Sequence, residues 1–219
     1  MTFAPLELPN MPTATTPSKL LVAFPLYKSV STAFFAGWLD VDKRHVQGTV
    51  HVNGAYITKA FTSLVYKALT LRPWDRLVFI EQDMILPAHA LVRMAHYLPE
   101  QAVVGSVYCR HEPPHEPLAF WEQNSRFVPL TARQVSERSD PPALHPVDAV
   151  GTGSTSIARH VLEHWHPDVE MFANDRLGHD FWFCQQARAQ GHGVFLDTGI
   201  QCQHLSEVPV TFKDAKRYE

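Results

Sequence analysis

The chain predicts an α/β fold: one domain with a mostly parallel central sheet flanked by helices. Three observations predict it. Short apolar runs rich in β-branched and aromatic residues alternate with segments whose apolar residues recur every three or four positions. Proline, glycine or Asn-Gly punctuates the boundaries. The order from Lys19 to Val107 then reads strand, helix, strand, helix, strand, helix, strand. With 219 residues the chain can bury one substantial core, and 45% apolar against 19% charged residues is the balance of a globular protein rather than a disordered one.

Residues 1–18 hold four prolines and read as an extended arm. Lys19 to Pro25 predicts a buried strand stopped by the proline, which has no N–H for a central ladder. Phe34, Phe35, Trp38 and Leu39 have helical spacing and read as a core face. Thr49 to Val52 is a short strand before Asn53-Gly54. From Ala55 to Leu71, Ile57, Phe61, Leu64, Val65, Ala68 and Leu69 mark an amphipathic helix ended by Arg72-Pro73. Leu77 to Ile80 is an interior strand. A helix can begin at Pro87, with Leu91, Met94, Ala95 and Leu98 as its buried face, and Ala102 to Val107 is again strand-like.

Beyond Tyr108 the pattern loosens. Cys109 to Pro117 packs three prolines and two histidines into a loop. Leu118 to Trp121 and Phe127 to Leu130 read as short strands, and Ser136 to Pro146 as a flexible connection. Val147 to Ile157 is rich in small residues, Ala158 to His164 predicts a short helix, and Leu177 to Gln190 a longer one ended by Gly191. Val194 to Leu196 and Ile200 to His204 are strand-like, and the polar tail from Ser206 is a lid or a frayed end.

Composition excludes some functions. A formal net charge of −3 with dispersed Lys and Arg is no footprint for general nucleic-acid binding. Cys109, Cys184 and Cys202 lack CxxC spacing, which argues against a disulfide scaffold or a cysteine-rich zinc module and for a reducing compartment. Neither a signal peptide nor a membrane span is evident, so a soluble, cytoplasmic protein is expected, in the host cytoplasm if the chain is viral.

The chemistry concentrates between Arg76 and Pro87, where an apolar run delivers Glu81 and Asp83. Residues two apart in a strand share a face, so these carboxylates converge if extension persists. Hard oxygen ligands of that kind suit Mg²⁺ or Mn²⁺ with substrate phosphate. The competing reading is a solvated acidic loop.

Taken in order, the strand ending at Pro25, Glu81-Gln82-Asp83, Val150-Gly151-Thr152-Gly153, Gly178-His179-Asp180 and the late His204 resemble a GT-A glycosyltransferase, closest to short family-two-like members often encoded by phages. The resemblance covers most of the span from Lys19 to Leu205 and is poorest from Cys109 to Pro146. It implies a GT-A-like domain over 19–205, with a nucleotide-sugar half at 19–108, an acceptor and catalytic half at 109–205, and 206–219 as tail or lid. It further implies a metal-dependent hexosyltransferase that moves a hexose from a UDP-sugar to an acceptor hydroxyl with inversion. The acceptor would be a glycan, a protein or a modified nucleobase.

Residue by residue, the resemblance places Pro25 and Tyr27 in the first nucleotide-binding loop, Asn53 at the base or ribose, and Lys59 near phosphate. Glu81-Gln82-Asp83 stands at the DxD motif, so Asp83, then Glu81, with His204, would hold Mn²⁺ or Mg²⁺. Gly151 and Gly153 form the turn beneath donor sugar and acceptor, Asp180 is the general base, and His179 orients it or meets the acceptor. Three departures stand out: Glu81 for the first Asp, His179 for the first acid of an acidic pair, and Phe61-Thr62 where relatives carry Arg-Asn. Cys109, His111 and His115 suggest a second metal but lack a fourth ligand nearby, which favours acceptor contact through Arg110 and His111. Trp121, Trp165 and Trp182 read as core. Two other readings keep the same carboxylates: a noncatalytic nucleotide-sugar or glycan-binding domain, and a metal-dependent phosphohydrolase or nucleotidyltransferase.

Overall fold

Alternation along the first strand shows how the sheet is covered. Leu20, Val22 and Phe24 lie in one buried cluster and Leu21 and Ala23 in another, as the two-residue repeat of extended chain requires when both faces are packed. Leu77 and Phe79 against Val78 and Ile80 repeat the pattern. The computed structural model describes residues 16–71, 73–124, 126–173 and 178–206, together with Phe212.

In chain order the elements are β1 (Leu20–Leu26), α1 (Thr32–Asp40), β2 (Val46–Asn53), α2 (Ile57–Leu69), β3 (Arg76–Ile80), β4 (Met84–Ile85), α3 (Ala90–Ala95) and β5 (Val103–Val107). There follow β6 (Ala119–Gln123), β7 (Arg126–Pro129), α4 (Ala132–Glu137), β8 (Leu144–Pro146), β9 (Ala149–Val150), β10 (Ser154–Ala158), α5 (Arg159–Glu163), α6 (His179–Ala189), β11 (Val194–Gln201) and β12 (Gln203–His204). The main sheet has the order β2-β1-β3-β10-β5-β11-β8. Its strands β2, β1, β3, β5 and β11 run one way, and β10 and β8 oppose them. One face is covered by Phe61, Leu64 and Ala68 of α2, Val161 of α5 and Phe183 and Ala187 of α6. The other is covered by Phe34 of α1 and Leu91 and Met94 of α3. This is the α/β, mostly parallel architecture the sequence predicts. Among the described residues no helix is long and apolar enough to cross a membrane.

Several local expectations need correction. Pro25 does not stop β1, because β3 pairs only with Leu20 to Ala23 and the missing N–H falls beyond that doubly bonded stretch. The face of α1 is narrower than its spacing suggests: Phe34 is buried, whereas Phe35 and Leu39 are 55% and 61% exposed. α3 begins at Ala90, three residues after Pro87. Ser136 to Pro146 is not merely a flexible connection. It holds the end of α4, started by a Thr131/Gln134 capping box, and β8, which joins the main sheet. Strand β11 runs unbroken through the gap expected at Asp197 to Gly199. The arm up to Thr15, Leu177 and the tail other than Ser206 and Phe212 lie outside the described residues; Phe212 is buried in the main cluster.

A buried ionic group ties the α3 segment to β11. Asp197 accepts Arg93 Nε–H and Nη2–H at 2.6 and 2.9 Å, Tyr97 O–H at 2.6 Å and Gly199 N–H at 2.8 Å. Asp197→Ala leaves the Arg93 guanidinium buried and unpaired, and is expected to cost about 3–5 kcal/mol in urea unfolding.

Candidate active site

Five strands running in one direction bring their carboxyl ends to one edge, the place where open parallel sheets bind ligands. Tyr27 follows β1, Glu81 to Asp83 follow β3, His111 lies beyond the end of β5, and His204 lies just past β11. The antiparallel β10 starts at the same edge, so the preceding Gly151-Thr152-Gly153 turn also lies there; Glu81 N–H donates to Gly153 C=O at 2.9 Å.

A small second sheet joins the middle of the sequence to its last strand. In β4 and β12, Met84 pairs with His204 and Ile85 with Gln203, and Leu205 N–H donates to the Asp83 carbonyl at 2.6 Å. The pairing sets His204 Nε2 3.4 Å from Asp83 Oδ2. His111 Nε2 lies 3.7 Å from the same oxygen, and its ring centroid is 3.5 Å from that of His204. One ligand atom from each of Asp83, His111 and His204 lies within 4.8 Å of the others. Extension does not persist past Ile80, however: a turn with Met84 N–H on Glu81 C=O, 3.1 Å, carries Asp83 to this point. Glu81, expected as a metal ligand, lies outside the group.

The donor set fits a divalent cation. His204 Nδ1 lies 2.7 Å from the Cys109 carbonyl, which can only accept, so Nδ1 carries the proton and Nε2 is left to face Asp83. Asp83 Oδ1 and His111 Nδ1 are buried with no hydrogen-bond partner among the described residues, the condition a bound ion would relieve at the carboxylate. Burial opposes ionisation of Asp83, but the His204 ring, when its Nε2 is also protonated, outweighs this and holds the carboxyl below its ordinary value. Burial and then the neighbouring His204 lower His111, which favours the neutral ring a metal needs. Burial likewise acts to lower His204, yet its bonds to Asp83 and the Cys109 carbonyl raise it overall. One carboxylate and two imidazoles suit Mn²⁺ and its transition-metal neighbours better than Mg²⁺.

Glu81 turns instead toward the glycine turn, where Thr152 Oγ1–H donates to its Oε1 at 3.0 Å. Thr152 Oγ1 also lies 3.1 Å from His179 Nε2. Burial, then Asp83, pushes the Glu81 carboxyl up to about 7. Asp180 stands in the first turn of α6, with its Oδ1 accepting Phe181 N–H at 2.9 Å. Burial raises Asp180 against the opposing pull of His179, and burial lowers His179. Gly178 precedes them at φ +102°, and a Cβ there would stand 2.9 Å from Asp180 Oδ1, so only glycine serves.

The space beside Gly151 and Gly153 is taken by Tyr108, whose hydroxyl oxygen accepts Gly153 N–H at 2.8 Å. The Tyr108 ring also meets His204 edge-on at 5.4 Å. On the side a Cβ would occupy, these glycines therefore admit a bracing side chain.

At the end of β1 lies a cleft of about 400 Å³, lined by Pro25, Leu26, Tyr27, Ala55, Tyr56, Ile57 and Ala60. Tyr27 and Tyr56 are 53% and 60% exposed, flat walls of the kind a planar base stacks on. Tyr27 N–H donates to Gln82 Oε1 at 2.7 Å, linking the cleft to the Glu81–Asp83 turn. Asn53 and Lys59 are exposed on β2 and α2, which flank the cleft, but do not line it. The second metal drawn from Cys109, His111 and His115 does not form: His111 joins Asp83 and His204 instead, and His115 Nδ1 contacts the Arg110 carbonyl at 3.1 Å. Sequence reading missed Thr152 and Tyr108 and left His111 among acceptor contacts. The one available signal was position, since all three flank strand ends at the ligand-binding edge.

No protein-family model and no curated protein sequence matches the chain. Among solved structures, A197 from STIV superposes with a TM-score of 0.61 at 14% identity over 86% of each chain. GalNAc-T7, solved with UDP, GalNAc and Mn²⁺, superposes with a TM-score of 0.59 at 8% identity over 87% of this chain and 43% of its own. The fold is GT-A-like. In that GT-A-like frame, Asp83, His111 and His204 cluster beyond the parallel strand ends, and the Tyr27–Tyr56 cleft is tied to the Glu81–Asp83 turn through Gln82.

Proposed function

We propose that the chain is a metal-dependent glycosyltransferase that moves a hexose from a UDP-sugar to an acceptor hydroxyl, with inversion. The observation that carries this reading is the meeting of Asp83, His204 and His111, from three separate segments, at the ligand-binding edge of a GT-A-like fold. Mn²⁺ and UDP in the GalNAc-T7 structure lend it support. In this reading Asp83, His204 and His111 hold the cation, which supplies Lewis-acid neutralisation of charge on the departing diphosphate. Tyr27 and Tyr56 sandwich the uracil, with Pro25 and Gln82 shaping the slot, and Asn53 and Lys59 reach ribose and phosphate from the rim. Asp180, its proton affinity raised by burial, takes the acceptor proton as the oxygen attacks the anomeric carbon. Glu81 positions the turn through Thr152, a role that replaces metal ligation.

A donor panel with Mn²⁺ tests the proposal. UDP release that needs both donor and acceptor and stops with chelator is the expected result; UMP plus sugar phosphate would mark a nucleotide-cleaving enzyme, and tight UDP binding without turnover a binding domain. Mn²⁺ is expected to support more turnover than equimolar Mg²⁺. Mn²⁺ affinity, measured calorimetrically, should weaken as pH falls through the raised His204 value, since the proton and the cation compete for Nε2. That weakening should begin above the ordinary histidine value of about 6.5.

A further inference from the structure

Thr152 sits between an acid and an imidazole, and a hydroxyl has only one proton to give. An ionised Glu81 can only accept, so Thr152 Oγ1–H is given to its Oε1 at 3.0 Å, and the 3.1 Å contact with His179 Nε2 is then a hydrogen bond only if that nitrogen brings the proton. Thr152 is 3% exposed, and the Phe61 ring packs against the His179 ring at 5.0 Å, which limits other settings of both groups. We infer that Thr152 is a positioning residue that, held by Glu81, keeps His179 in the Nε2–H tautomer with Nδ1 unprotonated. The inference rests on the sugar-transfer reading, in which Asp180 is the base.

The consequence lies at Asp180. A neutral imidazole whose single N–H is committed to Thr152 has none to give its neighbour. Asp180 then keeps its lone pairs for the acceptor hydroxyl. In the other tautomer the ring would carry an N–H that Thr152 does not hold, beside the Asp180 charge it interacts with. Burial, which lowers the His179 value, favours the neutral ring this arrangement needs. It also gives a function to two of the three departures of the sequence, Glu81 for Asp and His179 for an acid, as the two ends of one hydrogen-bonded chain.

The test combines ¹⁵N histidine NMR on the full chain, with the His179 signal assigned through His179→Gln, and kinetics of Thr152→Val and Thr152→Ser. The wild type should show the Nε2–H tautomer at His179. Thr152→Val should lose that preference and lower kcat about tenfold, the worth of one hydrogen bond, with donor KM within about twofold. Thr152→Ser should restore both. A wild-type His179 protonated on Nδ1 would overturn the inference even if Thr152→Val fails to fold, and so would a serine variant as impaired as valine. If no variant, nor the wild type, turns over any donor, the sugar-transfer reading fails while the tautomer readout still judges the Thr152 assignment.

Discussion

Asp83→Ala is expected to lower metal-dependent kcat/KM by about 10³-fold, the several kcal/mol that Lewis-acid stabilisation of a leaving diphosphate supplies. Asp83 is the only carboxylate in the cluster, and both histidines approach its Oδ2. Its removal leaves two neutral rings with no anionic ligand, so Mn²⁺ affinity should fall with activity. The backbone clamp should survive, because Leu205 N–H bonds the Asp83 carbonyl rather than its side chain. A melting temperature close to wild type, beside lost Mn²⁺ binding, is therefore the expected pairing. A variant that retains Mn²⁺-stimulated turnover would remove Asp83 from the site.

Asp180→Asn should slow kcat by about 10²–10⁴ while leaving UDP and Mn²⁺ affinities near wild type, as loss of a general base does. The amide keeps the size of the side chain and an oxygen to accept Phe181 N–H, which the native carboxylate holds at 2.9 Å. What it loses is the ability to take a proton. Calorimetry with UDP and Mn²⁺, run beside steady-state kinetics, separates the roles. Equal losses in binding and turnover would make Asp180 a donor-site residue instead.

How much of this was legible follows from the range of each interaction. The apolar run Leu77–Ile80 and the helical repeat of α2 announce themselves locally, and both appear where expected. Asp83 and His204 could be paired from the order of motifs, but the device that joins them, β4 against β12, is two residues long on each side and leaves no pattern of its own. His111 sits in a proline-rich loop whose path no periodicity records, and only folding brings it to Asp83. The capping box at Thr131-Ala132-Arg133-Gln134 is a local signal that marks the start of α4. At the glycine turn a missing Cβ records a close approach without saying what approaches, and on the side a Cβ would occupy it is Tyr108. Arg93 and Asp197 resemble surface charges in the sequence, and only their mutual pairing lets both be buried.

The central claim is that one carboxylate and two imidazoles from distant segments share a single divalent cation beside the donor diphosphate. Pulsed electron paramagnetic resonance of the full chain loaded with Mn²⁺ and UDP tests it most directly. The account predicts modulation from two ¹⁴N imidazole ligands together with ³¹P coupling, one nitrogen being lost in His204→Ala and the other in His111→Ala. Bound Mn²⁺ with phosphorus coupling but no nitrogen coupling would contradict it.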